Sequence, residues 1–187
     1  PEPHTLTPGI SVLEAAHYMT VSSNGRVQTK RYFSPDFQKP SEESFEEKAS
    51  KLRKVLTESV EYHMISDVEV GTFLSSGIDS AVITAIASRL NPGIKALTVG
   101  FDVASYSEVD DAHEIAKHLN VEHIVLKGNC RQFQDAFEKV VFALDSPVAD
   151  PSTVAIYMIA RESARHVKVM PSGEGSDELF AGYKTYR

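Results

Sequence analysis

The stretch "VEVGTFLSSGIDSAVITAIASRLNPGIKALTVGF" (68–101) limits what this chain can become. It passes from a short apolar run, through a turn of small residues, into an apolar helical pattern stopped by Asn91-Pro92-Gly93, and then into a second apolar run. A strand too apolar to face water on either side, joined by a helix to another such strand, belongs in a parallel sheet covered on both faces. The pattern repeats. Strands are predicted at 70–74, 94–100, 121–126 and 167–170, with helices at 80–90, 107–119, 130–144 and 151–166. The expected fold class is therefore α/β, a parallel sheet with helices on both faces.

A smaller module precedes it. "HYMTVSSNGRVQTKRYF" places β-favouring residues around Asn24-Gly25, the strongest short-range signal for a hairpin. The Pro- and Ser-rich "FSPDFQKPSEES" reads as a linker, with Ser41 or Ser44 available to cap the next helix. Phe45, Ala49, Leu52, Leu56 and Val60 recur at threes and fours and predict an amphipathic helix to about residue 62. The expected organisation is an entry segment over 1–40 and the α/β domain over 41–187.

In open parallel sheets, ligands gather beyond the carboxyl ends of the strands. The loops that fall there are 75–80, 100–106 and 171–178. "SSGIDS" joins a strand to a helix start. Ser75, Ser76, Gly77 and the amides through Ser80 suit an oxyanion, which the helix dipole also favours. A tight turn capped by Asp79 or Ser80 explains the same residues without a ligand. Asp79 beside a phosphate would repel it unless a metal lay between, and magnesium takes one or two carboxylates together with phosphate oxygens. Asp177, in the loop "PSGEGSDELFAGY" (171–183), can supply the second. In that loop Gly173 and Gly175 permit close approach or positive φ. Ser176 reads as a helix cap, with Asp177 and Glu178 in the first turn. Capping accounts for Glu178 but not for Glu174, which precedes the cap. No Gly-x-x-x-x-Gly-Lys-Ser/Thr loop and no Gly-x-Gly-x-x-Gly after a strand is present.

Together, "FLSSGIDSAVITA" and "PSGEGSDELFAGY" resemble the ATP-pyrophosphatase signature of glutamine-dependent asparagine synthetases, in the N-terminal half of their C-terminal synthetase domain. "ALTVGF", "SEVDDAHEIAKHLNVEH" and "DSPVADPST" occur in the family's order, and "LTPGISVLEAAHYMTVSSNGRVQTKRYFSP" is similar to its entry segment. The resemblance implies an adenine nucleotide alpha hydrolase-like fold of the HUP type, with ATP and Mg2+ as ligands. It implies that Ser75, Ser76, Gly77, Asp79 and Ser80 hold the pyrophosphate, that Asp79 and Asp177 bind magnesium, and that Leu74, Val99, Ser172 and Gly173 border the adenosine. Glu174 would orient the acyl-adenylate and handle a proton from ammonia. The implied reaction adenylates the side chain of L-aspartate, releases pyrophosphate, and lets ammonia displace AMP to give asparagine.

Ser76 stands where the family has a glycine, so a positive φ there would be strained. The ammonia is implied to come from glutamine through an N-terminal glutaminase domain outside these residues. The chain is also expected to stop partway through the synthetase domain, and to be inactive alone. Two alternatives stay open: a related amidotransferase or β-lactam-type synthetase acting on another carboxylate, and a nucleotide-binding regulator without chemistry.

Bulk properties set the remaining bounds. A net charge of -7 argues against a broad nucleic-acid surface. One cysteine, Cys130, excludes an internal disulfide and a multi-cysteine zinc site, and reads as a helix-start or core residue. No run approaches a membrane span and no signal peptide is read, so a cytoplasmic setting is expected. A homodimer is compatible with the sequence. The seven histidines show no metal-ligand spacing; His113 and His118 are assigned to a solvated helix side, and His63, His123 and His166 to the surface or helix ends. Phe133, Phe137 and Phe142 are expected on a packed helix face.

Overall fold

The computed structural model describes residues 3–36, 41–101, 108–144, 148, 150 and 152–183. Residues 102–106 of the loop expected at 100–106 and the start of the helix expected at 107 lie outside them, as does most of "DSPVADPST". The chain separates into two compact units, Pro1–Phe45 and Glu46–Arg187.

In the first unit, β1 (His17–Val21) and β2 (Val27–Arg31) pair antiparallel, with Val21 opposite Val27 and His17 opposite Arg31. The intervening turn is the one expected around Asn24-Gly25. Gly25 has φ of 79°, its N–H donates to the Ser22 carbonyl, and the Asn24 side chain accepts the Arg26 N–H.

The second unit opens with α1 (Phe45–His63), of which only Val60 is fully buried. The apolar stripe read from Phe45 onward thus packs at its C-terminal end, where Val60 and Met64 meet Ala87 and Ile94; Phe45 itself is exposed. Next come β3 (Gly71–Phe73), α2 (Ile78–Leu90), β4 (Lys95–Phe101), α3 (Val109–Leu119), β5 (Glu122–Gly128), α4 (Cys130–Ala143), α5 (Ser152–Ser163) and the short α6 (Ser176–Phe180). β3, β4 and β5 form a parallel sheet in that order, with Phe73 beside Leu97 and Leu97 beside Ile124. The fourth expected strand is reduced to one parallel bridge, Val70 to Val169, reinforced by the Gly71 N–H donating to the Val169 carbonyl. Pro171 follows two residues later and has no N–H with which to extend the ladder. The sheet therefore grows from β3 in both directions, which makes the carboxyl end of β3 its switch point.

Helices cover both faces. Ala96 of β4 packs with Ala112 and Ala116 of α3, small residues that let helix and sheet approach closely. On the other side α5 sits over the sheet and joins α4 through Ala136, Val140, Val154 and Met158. Of the phenylalanines expected on a packed face of α4, Phe133 joins this cluster, but Phe137 and Phe142 point to solvent. Two hydroxyls pin α2 to β3: Thr84 donates to Thr72 at 3.0 Å, both fully buried. A buried hydroxyl needs such a partner, and each here satisfies the other. Gly71 is fixed by close packing, since a Cβ there would lie 3.0 Å from the Lys95 carbonyl and 3.1 Å from both Leu97 and Val167. α4 carries a reciprocal capping box, Asn129 with Gln132, and Cys130 is an exposed residue in its first turn.

Candidate active site

The two singled-out loops leave the sheet at its switch point and face one cleft of about 610 Å³. It is lined by Leu74, Ser75, Gly77, Asp79 and Ser80 from one side and by Ser172, Gly173, Glu174 and Asp177 from the other, with Val99 at the end of β4. Contact between the loops is direct. A Cβ on Gly173 would stand 3.1 Å from the Asp79 Cβ and 3.3 Å from Ile83 Cδ1, so a glycine is what lets the second loop lie against the first turn of α2. Ser76 is exposed and is not part of the cleft wall.

The first loop is held from within. The Ser75 N–H donates to Ser80 Oγ at 3.0 Å, the two hydroxyls are 2.9 Å apart, and the Gly77 N–H donates to Ser75 Oγ at 3.1 Å. The Ser76 N–H donates to the Glu108 carboxylate at 3.2 Å. Three amides of the loop thus have acceptors already. Helix α2 begins two residues earlier than expected, with Gly77 as its N-cap and no side-chain cap. Neither Asp79 nor Ser80 caps it; both lie in its first turn. The first-turn amides of Ile78, Asp79 and Ser80 consequently have no acceptor within the helix, and the positive end of its dipole faces the cleft. Ser76 causes no strain: among the described residues, positive φ outside glycine occurs at Ala16, Asn120 and Ala181.

In the second loop the cap of α6 is Gly175, at φ of 91°, rather than Ser176. Ser176 instead donates its hydroxyl to the Gly173 carbonyl, and Ser172 donates to Glu174 Oε1 at 3.2 Å. Tyr183 donates to Glu178 Oε1 at 3.0 Å. A Cβ at Gly182 would fall onto the Asp177 carboxylate, so the backbone there closes around that side chain.

Five carboxylates line the cleft, those of Asp79, Glu108, Glu174, Asp177 and Glu178, and among the described residues no lysine or arginine does. A polyphosphate could enter such a site only with divalent cations to offset the charge. The donors are all hard oxygens, which fits magnesium and not a softer metal. Among the described residues no cluster of three or more His, Cys, Asp or Glu forms a ready-made metal cage. Magnesium seldom needs one, because phosphate and water complete its shell.

Behind the cleft lies a polar chain that the sequence reading missed. Leu74 borders the cleft, yet its side chain packs into the core with Ala96 and Ala112. The Leu74 carbonyl accepts the Thr98 hydroxyl at 2.6 Å; Thr98 is 2.8 Å from His123 Nε2, and His123 Nδ1 is 3.3 Å from His113 Nδ1. Thr98 has one hydroxyl proton and gives it to Leu74, so His123 must donate through Nε2, and its bare Nδ1 receives the His113 proton. His123 is thus a half-buried partner of β4 and not a surface residue. Desolvation, and then the neighbouring His113, hold its pKa below the ordinary 6.5. Glu108 was missed as well. It opens α3, where an acidic residue looks like ordinary helix-start chemistry, and only the fold carries it to Ser76.

Comparison with known proteins identifies the family. The family model described as asparagine synthase matches residues 51–187. The chain is 39% identical over its whole length to glutamine-hydrolyzing asparagine synthetase 1 of Bacillus subtilis, covering 29% of that protein. It is 30% identical to asparagine synthetase B of Escherichia coli over 72% of this chain and 27% of the other. To amidase chyE of Penicillium rubens it is 30% identical over its whole length and 30% of the relative. The chain spans under a third of the length of these relatives. A family model covering most of the chain, together with a cleft built from both signature loops, shows that the chain belongs to the asparagine synthase family.

Proposed function

We propose that this chain supplies the ATP site of an enzyme that converts L-aspartate to asparagine. The observation that carries the reading is the packing of Gly173 against Asp79, which sets an amide-bearing helix start and two loops of carboxylates around one cleft. A carboxylate is a poor acylating agent because oxide is a poor leaving group. Attack of its oxygen on the α-phosphorus of ATP breaks the bond to the β-phosphate oxygen, releases pyrophosphate and gives an acyl-adenylate. Ammonia then attacks the acyl carbon, AMP leaves, and one proton is given up.

In this scheme Ser75, Gly77 and Ser80, with the first-turn amides of α2, bind the pyrophosphate portion, and Ser76 joins them through its N–H at the mouth of the cleft. Asp79 and Asp177 are the residues that would hold magnesium, whose charge balances the phosphates. Leu74, Val99, Ser172 and Gly173 form the adenosine wall. Glu174, steadied by Ser172, takes the ammonia proton. This chain's share of the rate is position and charge: holding carboxylate and phosphorus in line, and setting donors where negative charge grows. Ammonia is proposed to come from glutamine through a glutaminase domain of the same longer protein, as the names of the relatives suggest. We also propose a cytoplasmic setting. No helix among the described residues is long and apolar enough to cross a membrane.

Pyrophosphate–ATP exchange with magnesium, measured with and without L-aspartate, tests this. Exchange that depends on aspartate is the expected result. Exchange with a different carboxylic acid and not with aspartate would keep the adenylation and discard the substrate.

A further inference from the structure

Glu108 is the N-cap residue of α3, yet its side chain makes no capping hydrogen bond to that helix. It reaches instead to a residue far earlier in the chain and accepts the Ser76 N–H at 3.2 Å. Ser76 is the loop amide that has no partner inside the loop, since those of Ser75 and Gly77 bond to Ser80 and Ser75. Glu108 also lines the cleft. A carboxylate on a backbone amide at the mouth of an anion cradle is chemically what a phosphate oxygen would be: a negatively charged acceptor on an N–H donor.

We propose that Glu108 is the resident acceptor of the phosphate loop: its carboxylate holds the Ser76 amide until a phosphate oxygen of the nucleotide displaces it. The inference rests on the ATP reading above and adds to it a competing group. Two consequences separate it from a bracing role. While the carboxylate sits on Ser76, an incoming phosphate meets a like charge in addition to those of Asp79 and Asp177. The loop keeps its shape when Glu108 leaves, because Ser75, Gly77 and Ser80 are bonded to one another independently of it.

The test is the affinity of Glu108→Gln and Glu108→Ala for inorganic pyrophosphate and for ATP, both with magnesium, by calorimetry. Glu108 is exposed, so both variants should keep the wild-type melting temperature. Removing one like charge at a few ångströms across a solvated cleft is worth about a fivefold change in Kd. Both variants should therefore bind pyrophosphate and ATP about fivefold more tightly than the wild type. Binding by the variants alone would support the proposal still more strongly. A brace predicts the opposite: weaker binding by Ala, and wild-type binding by Gln, which keeps an acceptor oxygen. Either of those results overturns the proposal and leaves the nucleotide reading standing. No binding of ATP or pyrophosphate by any of the three proteins overturns both.

Discussion

At the scale of single residues, two carboxylates with the same charge are given different work by their neighbours. Asp79 sits in the first turn of α2, beside amides that favour an anion, while its own charge opposes one. On the proposed reading a cation resolves that conflict, which yields a prediction. Asp79→Asn should weaken magnesium-dependent ATP binding more than tenfold, and metal-free AMP binding by less than about twofold, because AMP lacks the phosphates whose charge the metal would offset. Equal losses for the two nucleotides would remove Asp79 from the metal. Glu108, at the start of α3, sets a charge of the same sign against the same loop but bonded to an amide, so on the proposal above its removal should act in the opposite direction.

At the scale of elements, short connections decide where side chains stand. Ala181, the C-cap of α6, has φ of 55°, and the Gly182 N–H returns to the Asp177 carbonyl at 3.0 Å. Gly182 is not a positive-φ glycine; its lack of a side chain is what the Asp177 carboxylate requires. Gly182→Ala should therefore displace Asp177 and weaken magnesium-ATP binding several-fold, while costing only about 1 kcal/mol of stability at an exposed site. Unchanged binding, read beside the melting temperature, would show that Asp177 does not need this closure.

The elements themselves were legible because apolar runs of strand length alternate with helical periodicity, and Asn91-Pro92-Gly93 punctuates them. The carboxyl-end loops followed from topology. Three things were not legible. Gly175 takes the cap from Ser176, since a residue at positive φ can start a helix that a serine would otherwise start. Val169 makes a single bridge, because strand length is set by how far a neighbour runs alongside. Glu108 and His123 gain their partners only when β4 brings α3 and β5 beside the end of β3, which no local string encodes.

At the scale of the whole molecule, the His123 chain ties stability to pH. The folded state holds His123 below its ordinary pKa, so the unfolded chain binds the proton more readily. This contribution is fully present above about pH 6.5 and is lost as the pH falls through the depressed folded value. Urea unfolding at pH 7.5 and 5.5 should show a loss of stability at the lower pH that shrinks in His123→Gln. A wild type and variant with parallel pH profiles would exclude His123 as its source. Asp150, whose carboxyl is held below its ordinary value by hydrogen bonds from Ser152, acts in a lower window, below about pH 4.

The bridge between Val70 and Val169 has a consequence for how the chain is made. Its two ends are separated by every helix from α2 to α5 and by three strands. A ribosome releases "SSGIDS" well before "PSGEGSDE" exists, so for that interval the chain carries half a binding site. The cost of closing so long a loop is met only when the second loop docks. On the proposed reading, nucleotide has no grip on any earlier form. It would act as an inspector of that meeting, drawing the second loop into place and holding only chains in which the two loops have come together.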